Sequence, residues 1–335
     1  MPHSTGASSI KFSDWLQGQW QRFTPWQLLL LPFAGLFFVL TTIRRGLYKV
    51  GVLPSVTLPV PVVVVGNITV GGTGKTPLVL WLAAFLSSHG YRPGIISRGY
   101  GSKNAAPQAV LPDSDPTLVG DEPVLLAQRS GCPVWVSANR AEAGRALLAQ
   151  FPQCDVILSD DGLQHYGLRR AMEIVVVDGA RRFGNKLLLP AGPLRESRAR
   201  LTKVDAVVIN GESTTAGEYA MRLSGDRFRN LCDDRIATPH DFAGKKIHAL
   251  AGIGNPSRFF SHLRELGLTF AEHPFPDHYA FTPRDVRFED ADVVLMTEKD
   301  AVKCQAFAPA ESWALVVDAL LDDALGRKVL EKLRK

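Results

Sequence analysis

The sequence has few cysteines, and none of them stand at the paired spacings that metal sites and disulfide frameworks use. The 335 residues contain four cysteines and no C-x-x-C pair. This absence argues against a structural zinc site and against a disulfide-stapled secreted fold. It suits a protein that works in a reducing compartment. The four cysteines are Cys132, Cys154, Cys232 and Cys304.

The main body of the chain also lacks an excess of positive charge. The net charge is +5, and residues 1–50 carry +4 of it, because they hold five basic residues and one acidic residue. The remainder is nearly neutral, so we expect no nucleic-acid-binding face and no nucleic-acid partner. The charged residues of the N-terminal segment are Lys11, Asp14, Arg22, Arg44, Arg45 and Lys49.

A long apolar run stands in the same N-terminal segment. Three tryptophans, the first of them Trp15, precede the run QLLLLPFAGLFFVLTTI, and two arginines follow it, an arrangement typical of membrane edges. No small-residue cleavage site follows, which disfavours a secretory signal. The run is borderline in length for a span and contains Pro32 and Gly35. A helix lying in the bilayer interface therefore explains it as well as a span does. The other alternative is a helix buried in the core.

The stretch around which the rest of the chain is organised is VPVVVVGNITVGGTGKT, residues 60–76. Its β-branched run predicts a buried parallel strand, and a glycine-rich turn leads into Lys75-Thr76 and an apolar helix. This order is that of a phosphate-binding P-loop. Backbone N–H groups of the turn and the helix N-terminus would hold phosphate oxygens. Lys75 would reach the β- and γ-phosphates of ATP, and Thr76 would bind Mg²⁺.

One P-loop position departs from the general pattern, because Thr69 stands where the first glycine is expected. Three glycines remain, so the phosphate cradle can still form. The alternative, a turn that only joins a strand to a helix, does not account for the Lys-Thr pair in register. The predicted nucleotide-binding residues are Thr69, Val70, Gly71, Gly72, Thr73, Gly74, Lys75 and Thr76.

A second strong signal is DVILSDD, residues 155–161, an apolar strand that ends in acidic residues. Downstream of a P-loop, such a strand end is typical of a Walker-B-like site, whose carboxylate holds Mg²⁺ or its water shell. Asp160 and Asp161 both qualify as metal ligands. The alternative is a simple turn after a strand, which Asp-Asp-Gly also suits.

Other segments predict an α/β fold. Short apolar runs such as PGIIS (93–97) and EIVVVD (173–178) predict further parallel strands. The segment 218–231 predicts a β-hairpin that turns at residues 224–226. A second α/β unit begins at Lys246.

A long loop between two of the predicted strands reads RRFGNKLLLPAGPLRESRARL, residues 181–201. It is rich in glycine, proline and arginine and shows little periodicity. Loops of this kind beside a nucleotide site more often bind substrate than stabilise the fold. We therefore predict that this loop contacts the substrate.

Two polar residues have ordinary explanations when each is taken alone. Asp121 lies in GDEP, residues 120–123, where an acidic residue at the start of a helix is best explained as capping. His278 lies in the polar loop FPDHY, and a lone histidine is usually structural.

Eight motifs together resemble those of one family, the tetraacyldisaccharide 4′-kinases of lipid A synthesis. They run in order over most of the chain from about residue 40, and the ordered set is highly specific although no single motif decides the matter. The family pattern also has threonine at the position of Thr69. The motifs are VGNITVGGTGKTP (65–77), SRGYG (97–101), GDEP (120–123), SDDGLQH (159–165), LLPAGPLRE (188–196), AGIGNP (251–256), FPDHY (275–279) and MTEKDAVK (296–303).

The resemblance implies an α/β fold. Its P-loop NTPase-like core is a parallel sheet, with an N-terminal membrane-associated helix and a second, smaller C-terminal α/β lobe. The predicted division assigns residues 1–50 to the membrane-associated segment, 51–217 to the P-loop kinase core, 218–244 to a β-ribbon linker and 245–335 to the C-terminal lobe.

The resemblance also implies transfer of the γ-phosphate of ATP, with Mg²⁺, to the 4′-hydroxyl of an acylated glucosamine disaccharide 1-phosphate, which gives lipid IVA. The enzyme would work at the bilayer surface, on the cytoplasmic face of the inner membrane. Asp121 and His278 would pair near the acceptor hydroxyl, which replaces the capping and structural interpretations, and Lys75 would complete the catalytic residues. Candidates for holding the substrate's 1-phosphate are Arg98, Arg140 and Arg195.

The main alternative is a membrane-attached P-loop ATPase or switch protein that transfers phosphate only to water. The chain has no Asn-Lys-x-Asp motif to read guanine, which disfavours GTP. A nucleotide-sensing adaptor without catalysis is a third interpretation, but it requires neither the acidic strand end nor the Asp-His pair.

Overall fold

The structure is a computed structural model that describes residues 18–99, 106–213 and 215–334. Several residues that entered the sequence analysis lie outside these ranges. They are Lys11, Asp14 and Trp15 of the N-terminal segment, and Tyr100 and Gly101 of the motif SRGYG.

One mostly parallel sheet runs through the described part of the chain. Its strands are β1 (Val62–Gly66), β2 (Pro93–Ser97), β3 (Gln108–Val110), β4 (Val134–Val136), β5 (Val156–Asp160), β6 (Met172–Asp178), β7 (Ala206–Asn210), β8 (Glu218–Asn230), β9 (Ile236–Ala237), β10 (Ile247–Ala251), β11 (Phe270–Pro274), β12 (Val293–Thr297) and β13 (Ser312–Leu321). Their spatial order is β11-β10-β12-β13-β8-β7-β6-β1-β5-β2-β4-β3, with β9 beside β8. The predicted strands at residues 93–97 and 173–178 are confirmed as β2 and β6.

Helices cover both faces of the sheet, as buried parallel strands require. In chain order the α-helices of the described residues are α1 (Leu31–Lys49), which is mostly exposed, α2 (Lys75–Ser88), α3 (Pro116–Val119), α4 (Asp121–Ser130), α5 (Arg140–Gln150), α6 (Pro256–Glu265), α7 (Glu298–Cys304) and α8 (Asp323–Leu333). Val63 and Val65 of β1 pack in the same buried cluster as α2, α4 and α8. Val62 and Val64, which point to the opposite face, pack with α5.

The register of the central strands determines where a ligand can bind. β1 lies between β5 and β6, and Val65 near the end of β1 pairs with Asp160 at the end of β5. The carboxyl ends of parallel strands meet at one edge of the sheet, where ligands of open α/β folds bind. The P-loop and the acidic strand end therefore lie side by side.

The hairpin predicted at residues 218–231 was wrong, because β8 is a single strand of thirteen residues. It pairs in parallel with β7 at its start and antiparallel with β13 along most of its length. Gly225 is not a turn residue: a Cβ there would lie 2.4 Å from the carbonyl oxygen of Val316, beside an irregularity in β13. Close backbone approach explains this glycine, and long-range pairing overrides the local turn signal.

The last helix, α8, packs against α2, the helix that follows the P-loop. Leu325 and Val329 of α8 share the buried cluster of Leu78 and Leu82 in α2. One continuous sheet contains strands from all three predicted segments, 51–217, 218–244 and 245–335. The sheet therefore does not mark boundaries between them, and this division stays a prediction.

The N-terminal helix is mostly exposed. A short 3-10 turn, Pro25–Leu30, leads directly into α1, and together they form 25 residues with a mean hydropathy of 1.9 in their most apolar window. Only 11% of that window is buried, which excludes the interpretation as a core helix. By length and composition the helix could cross a membrane. Its exposed apolar side chains include Leu29, Phe33, Leu36, Leu40 and Ile43.

Polar contacts join the residues just before this helical segment, and the end of the segment, to the loop 181–201. The indole nitrogen of Trp20 donates to the carbonyl oxygen of Pro190 at 3.0 Å. At the other end, a guanidinium nitrogen of Arg45 lies 3.7 Å from a carboxylate oxygen of Glu196. The two ends of the N-terminal helical region therefore lie beside the loop that was predicted to bind substrate.

Candidate active site

The P-loop takes its shape from glycines and from buried polar side chains beneath it. Gly71 and Gly74 both have φ of +94°, a conformation that favours glycine. A Cβ at Gly74 would also lie 2.5 Å from the side-chain nitrogen of Asn210. That nitrogen donates to the carbonyl oxygen of Thr73 at 3.0 Å. The loop is thereby held between β1 and the start of α2.

Five of the eight predicted nucleotide-binding residues line an open cleft of about 910 Å³. Thr69 and Val70 pair with the loop 181–201 instead, where the Val70 N–H donates to the carbonyl oxygen of Pro193 at 2.9 Å. The side chain of Thr73 is buried and does not line the cleft. The five residues in the cleft are Gly71, Gly72, Gly74, Lys75 and Thr76.

Asp160 and Asp161 stand together at the end of β5 but in different surroundings. Asp160 is 1% exposed, and burial together with the nearby charge of Glu122 raises its pKa to about 7. Ser97 donates to one carboxylate oxygen of Asp160 at 3.3 Å, and the other oxygen has no hydrogen-bond partner among the described residues. A buried carboxylate oxygen of this kind requires a partner.

Asp161 faces the cleft. The Lys75 ammonium lies 3.5 Å from one of its carboxylate oxygens, and Arg195 lies 3.4 Å from the other. Burial alone would raise the pKa of Asp161, but these two cations outweigh it and lower the pKa. The residue has φ of +46°, and strained backbone of this kind is concentrated at functional sites.

Within the described ranges, no group of three or more His, Cys, Asp or Glu side chains is arranged to hold a metal ion. Two adjacent carboxylates and a threonine hydroxyl are a different kind of site. Mg²⁺ is commonly held by one or two carboxylates together with the phosphates of its substrate.

Asp121 and His278 line the same cleft and contact each other, although 157 positions separate them in the chain. His278 Nδ1 lies 3.3 Å from Asp121 Oδ2. The other oxygen of Asp121 accepts the backbone N–H of Glu122 at 2.9 Å, so the carboxylate also supports the start of α4. His278 has φ of +56°. The sequence-based interpretation of Asp121 as a helix-start residue thus describes only one of its contacts.

The contact between Asp121 and His278 shifts the pKa values of the two groups in opposite directions. Burial alone would raise the pKa of Asp121, but the hydrogen bond with His278 and the charge of Lys299 lower it to about 2. The hydrogen bond to Asp121 raises the pKa of His278 above its ordinary value. A carboxylate that stabilises an imidazolium produces both shifts.

Lys299 is the main residue of the site to which the sequence analysis assigned no role. Its ammonium lies 3.1 Å from Glu122 Oε1, 3.7 Å from Asp277 Oδ1 and 3.9 Å from Asp121 Oδ2. A usable signal was present, since Lys299 stands in the motif MTEKDAVK directly after a buried strand. A cation in the first turn of a helix opposes the helix dipole and needs a reason to be there.

The three arginines considered for the 1-phosphate occupy different places. Arg98 and Arg195 line the cleft. Arg140 is 3% exposed, and its guanidinium donates to the backbone carbonyl oxygens of Ser137 and Asp161 at 3.2 Å and 3.3 Å. Burial lowers the pKa of Arg140 to about 10. Through its hydrogen bond to the Asp161 carbonyl oxygen, Arg140 supports the backbone at the end of β5.

The family model for LpxK, tetraacyldisaccharide-1-P 4′-kinase, matches residues 26–334. The chain belongs to this kinase family. A tetraacyldisaccharide 4′-kinase of Methylobacillus flagellatus is 52% identical over 326 residues, which is 97% of each chain. One of Nitrosococcus oceani is 52% identical over 325 residues, covering 97% of this chain and 96% of the relative.

A solved structure of the same family has a similar fold. The crystal structure described as the "apo" form of LpxK from Aquifex aeolicus in complex with ATP superposes with a TM-score of 0.80 at 30% identity. It covers 92% of this chain and 99% of that chain. The predictions of the family, of the mostly parallel α/β fold with an N-terminal apolar helix, and of an ATP-dependent kinase of lipid A synthesis are confirmed.

Proposed function

We propose that this kinase transfers the γ-phosphate of ATP to the 4′-hydroxyl of tetraacyldisaccharide 1-phosphate, and so forms lipid IVA, through the residues assigned below. The observation that carries the assignment is the Asp121–His278 pair, which faces the same cleft as the P-loop. A proton-accepting pair opposite a phosphate cradle suits transfer to an alcohol. An enzyme that only hydrolyses ATP needs to position water alone.

Phosphoryl transfer requires positioning and charge neutralisation more than covalent help from the protein. The backbone around Gly71, Gly72 and Gly74 holds the phosphates. Lys75 neutralises charge on the β- and γ-phosphates, and in the free protein its ammonium is kept in the cleft by Asp161 at 3.5 Å. The lysine therefore does not have to be drawn from solvent when the nucleotide binds.

We assign Mg²⁺ to Thr76, Asp160 and Asp161. The residues fit the ion, because all their donor atoms are oxygen and one buried oxygen of Asp160 has no hydrogen-bond partner among the described residues. When bound, Mg²⁺ supplies neutralisation of the charge on the phosphate oxygens. Ser97 holds the second oxygen of Asp160 and so orients the carboxylate.

We assign the acceptor hydroxyl to the Asp121–His278 pair. Asp121 accepts the hydroxyl proton, and His278 orients or shares it, so that the pair titrates as a unit. Help of this kind is typically worth about 10²–10⁴-fold in rate. The 1-phosphate at the other end of the disaccharide requires a separate cation in or beside the cleft.

The substrate explains the N-terminal helix. Four acyl chains keep the acceptor in a bilayer, so the enzyme must come to the membrane. The basic residues of the N-terminal segment favour anionic lipid by about 1 kcal/mol each near the surface. We propose that the helix holds the catalytic cleft at the cytoplasmic face of the inner membrane.

The decisive experiment for the reaction follows label from γ-labelled ATP into lipid. Wild-type protein is expected to label tetraacyldisaccharide 1-phosphate and to give a bis-phosphorylated product. The matched control acceptor is the same lipid already phosphorylated at the 4′ position, which should take no label. Label released only as inorganic phosphate would support the ATPase alternative and would remove the roles given to Asp121 and His278.

Replacing Leu36 and Leu40 with glutamate is expected to weaken binding to anionic vesicles by more than about tenfold, because two apolar side chains lose their burial in lipid. Both are 57% exposed in the structure. Sedimentation with vesicles and the initial rate on vesicle-borne acceptor would both fall, and ATP affinity would not. A control pair, Ile236→Glu and Leu320→Glu, changes similarly exposed apolar residues outside the helix. An equal loss in both pairs would contradict the membrane role.

A further inference from the structure

Lys299 is held among carboxylates from two parts of the fold. It is the second residue of α7, and its side chain is 17% exposed. Asp121 and Glu122 come from the start of α4 in the P-loop half, and Asp277 comes from the loop that follows β11. Because the first turn of a helix disfavours a cation, these three carboxylates are what keep the ammonium in place.

The contact with Asp277 leads directly to His278. Asp277 Oδ1 lies 3.7 Å from the Lys299 ammonium and also accepts the backbone N–H of His278 at 3.0 Å. His278 has a positive φ of 56°, which costs free energy and persists only where neighbours hold the backbone. Lys299 thus touches both the carboxylate of the catalytic pair and the group that holds the histidine backbone.

We propose that Lys299 is a positioning residue for phosphoryl transfer, which holds His278 against Asp121 through Asp277. The proposal rests on the role given above to the Asp121–His278 pair. It concerns how that pair is assembled, since its two members come from the P-loop half and from the second α/β unit.

The neighbouring residue makes the proposal separable from a role in folding. Glu298, the first residue of α7, pairs with Arg129 near the end of α4, and its second oxygen accepts the N–H of Val317 at 3.0 Å. Arg129 also donates to Asp318 at 2.6 Å. These contacts hold α7 against α4 and β13 without Lys299, so removing its ammonium should leave the helix in place.

The charges near the Asp121–His278 pair, together with the hydrogen bond within it, determine how the pKa of His278 responds to the loss of Lys299. Among the described residues these charges include Asp277 from the loop and Lys299 and Lys303 from α7. Glu122 of α4 faces the Lys299 ammonium. The positive charge of Lys299 lowers the pKa of both Asp121 and His278. Loss of this charge alone would raise the pKa of His278. Loss of the Asp121 hydrogen bond, the largest cause of the raised pKa, would lower it, so a histidine that is no longer held against Asp121 moves the acid limb of kcat/KM to lower pH.

The test compares Lys299→Met with Lys299→Arg. Methionine keeps the length of the chain without the charge, and we expect kcat to fall by about 10- to 100-fold with KM for ATP within about twofold. Arginine keeps the charge and can donate to carboxylates, so it should recover most of the rate. The control is Lys332→Met, which removes another ion-paired lysine, 2.8 Å from Asp205 and outside the cleft. It should match wild type.

A readout without turnover separates this proposal from the proposed function. The pKa of His278, followed by NMR of labelled histidine in the full chain and assigned with His278→Gln, should fall in Lys299→Met, because the hydrogen bond to Asp121 that raises it is lost, and return in Lys299→Arg. A rise in Lys299→Met would mean that Lys299 acts only through its charge and would overturn the positioning role. An unchanged pKa with unchanged kcat would overturn the proposal. So would a loss of rate that is equal at every pH and is not recovered by arginine. Failure of lipid labelling by the wild type would instead refute the proposed function.

Discussion

Lys75→Ala is expected to lower kcat by roughly 10³–10⁵-fold, the largest effect of any single substitution in this protein. The size follows from removing a cation that stabilises charge on the transferring phosphoryl group, an effect of the order seen for arginine fingers and oxyanion-hole donors. Lys75 is the first residue of α2 and faces the cleft beside Asp161. The measurement is transfer of label from γ-labelled ATP into lipid.

The control for Lys75→Ala is Lys246→Ala, which removes an exposed lysine side chain at the start of the second α/β unit. This variant should keep the wild-type rate. Lys75→Ala also leaves Asp161 with Arg195 as its remaining cationic partner among the described residues, so its folding should be checked by thermal unfolding. A folded Lys75→Ala protein that retains more than about a tenth of the wild-type kcat would contradict the assignment of the P-loop lysine.

Asp121→Asn is expected to lower kcat by about 10²–10⁴-fold while ATP still binds. Asparagine is the informative replacement, because its side-chain oxygen can still accept the Glu122 N–H that supports the start of α4. The charge is lost and the helix start is kept. Steady-state kinetics with varied lipid acceptor, beside a nucleotide-binding assay, would measure both parts. An unchanged kcat would remove Asp121 from the mechanism.

The double variant tests whether Asp121 and His278 act together. His278→Gln alone should also lower kcat, and the combination with Asp121→Asn should cost little more than the worse single variant, because residues that act as a unit are not additive. Full additivity would mean that the two residues serve separate steps. The 3.3 Å contact between their side chains is the reason to expect coupling.

The pH dependence has a definite sign. The pKa of Asp121, about 2, keeps the carboxylate ionised throughout the working range. The hydrogen bond to Asp121 raises the pKa of His278 above its ordinary value of 6.5. Below that raised pKa the imidazole already holds a proton, and above it the pair is free to take one. We therefore expect kcat/KM to rise with pH, with an acid limb above pH 6.5 that His278→Gln removes.

Much of the nucleotide site was predictable because its signals are local. The β-branched run, the glycines and Lys75-Thr76 lie within 17 residues, and each has a conformational or chemical reason to stand where it does. The acidic end of β5 is equally local. Their meeting at one edge of the sheet follows from the general rule for parallel strands, so the sequence predicts a nucleotide site without long-range information.

Local reasoning was wrong at Gly225, and it did not predict the partners of Thr69 and Val70. A Ser-Gly-Asp signal predicts a turn, but pairing with β13 over most of β8 outweighs it, and the glycine serves close backbone approach. Thr69 and Val70 belong to the P-loop motif, yet they pair with the loop 181–201. Each of these outcomes depends on a strand or loop far away in the chain.

The sequence alone determined the P-loop and a long apolar segment, because contiguous residues encode each of them. It determined the family because eight such motifs occur in order. The exposure of the apolar helix was decided by the structure. The tertiary structure decided what completes the site. Taken by its own segment, Asp121 is a helix-start acid; the family resemblance predicted its pairing with His278, and the fold brings the two side chains to 3.3 Å. Lys299 is one more lysine until three carboxylates surround it. The ionisation of these groups depends on burial and on neighbours from other segments. Chain folding creates those surroundings, and residue order does not display them.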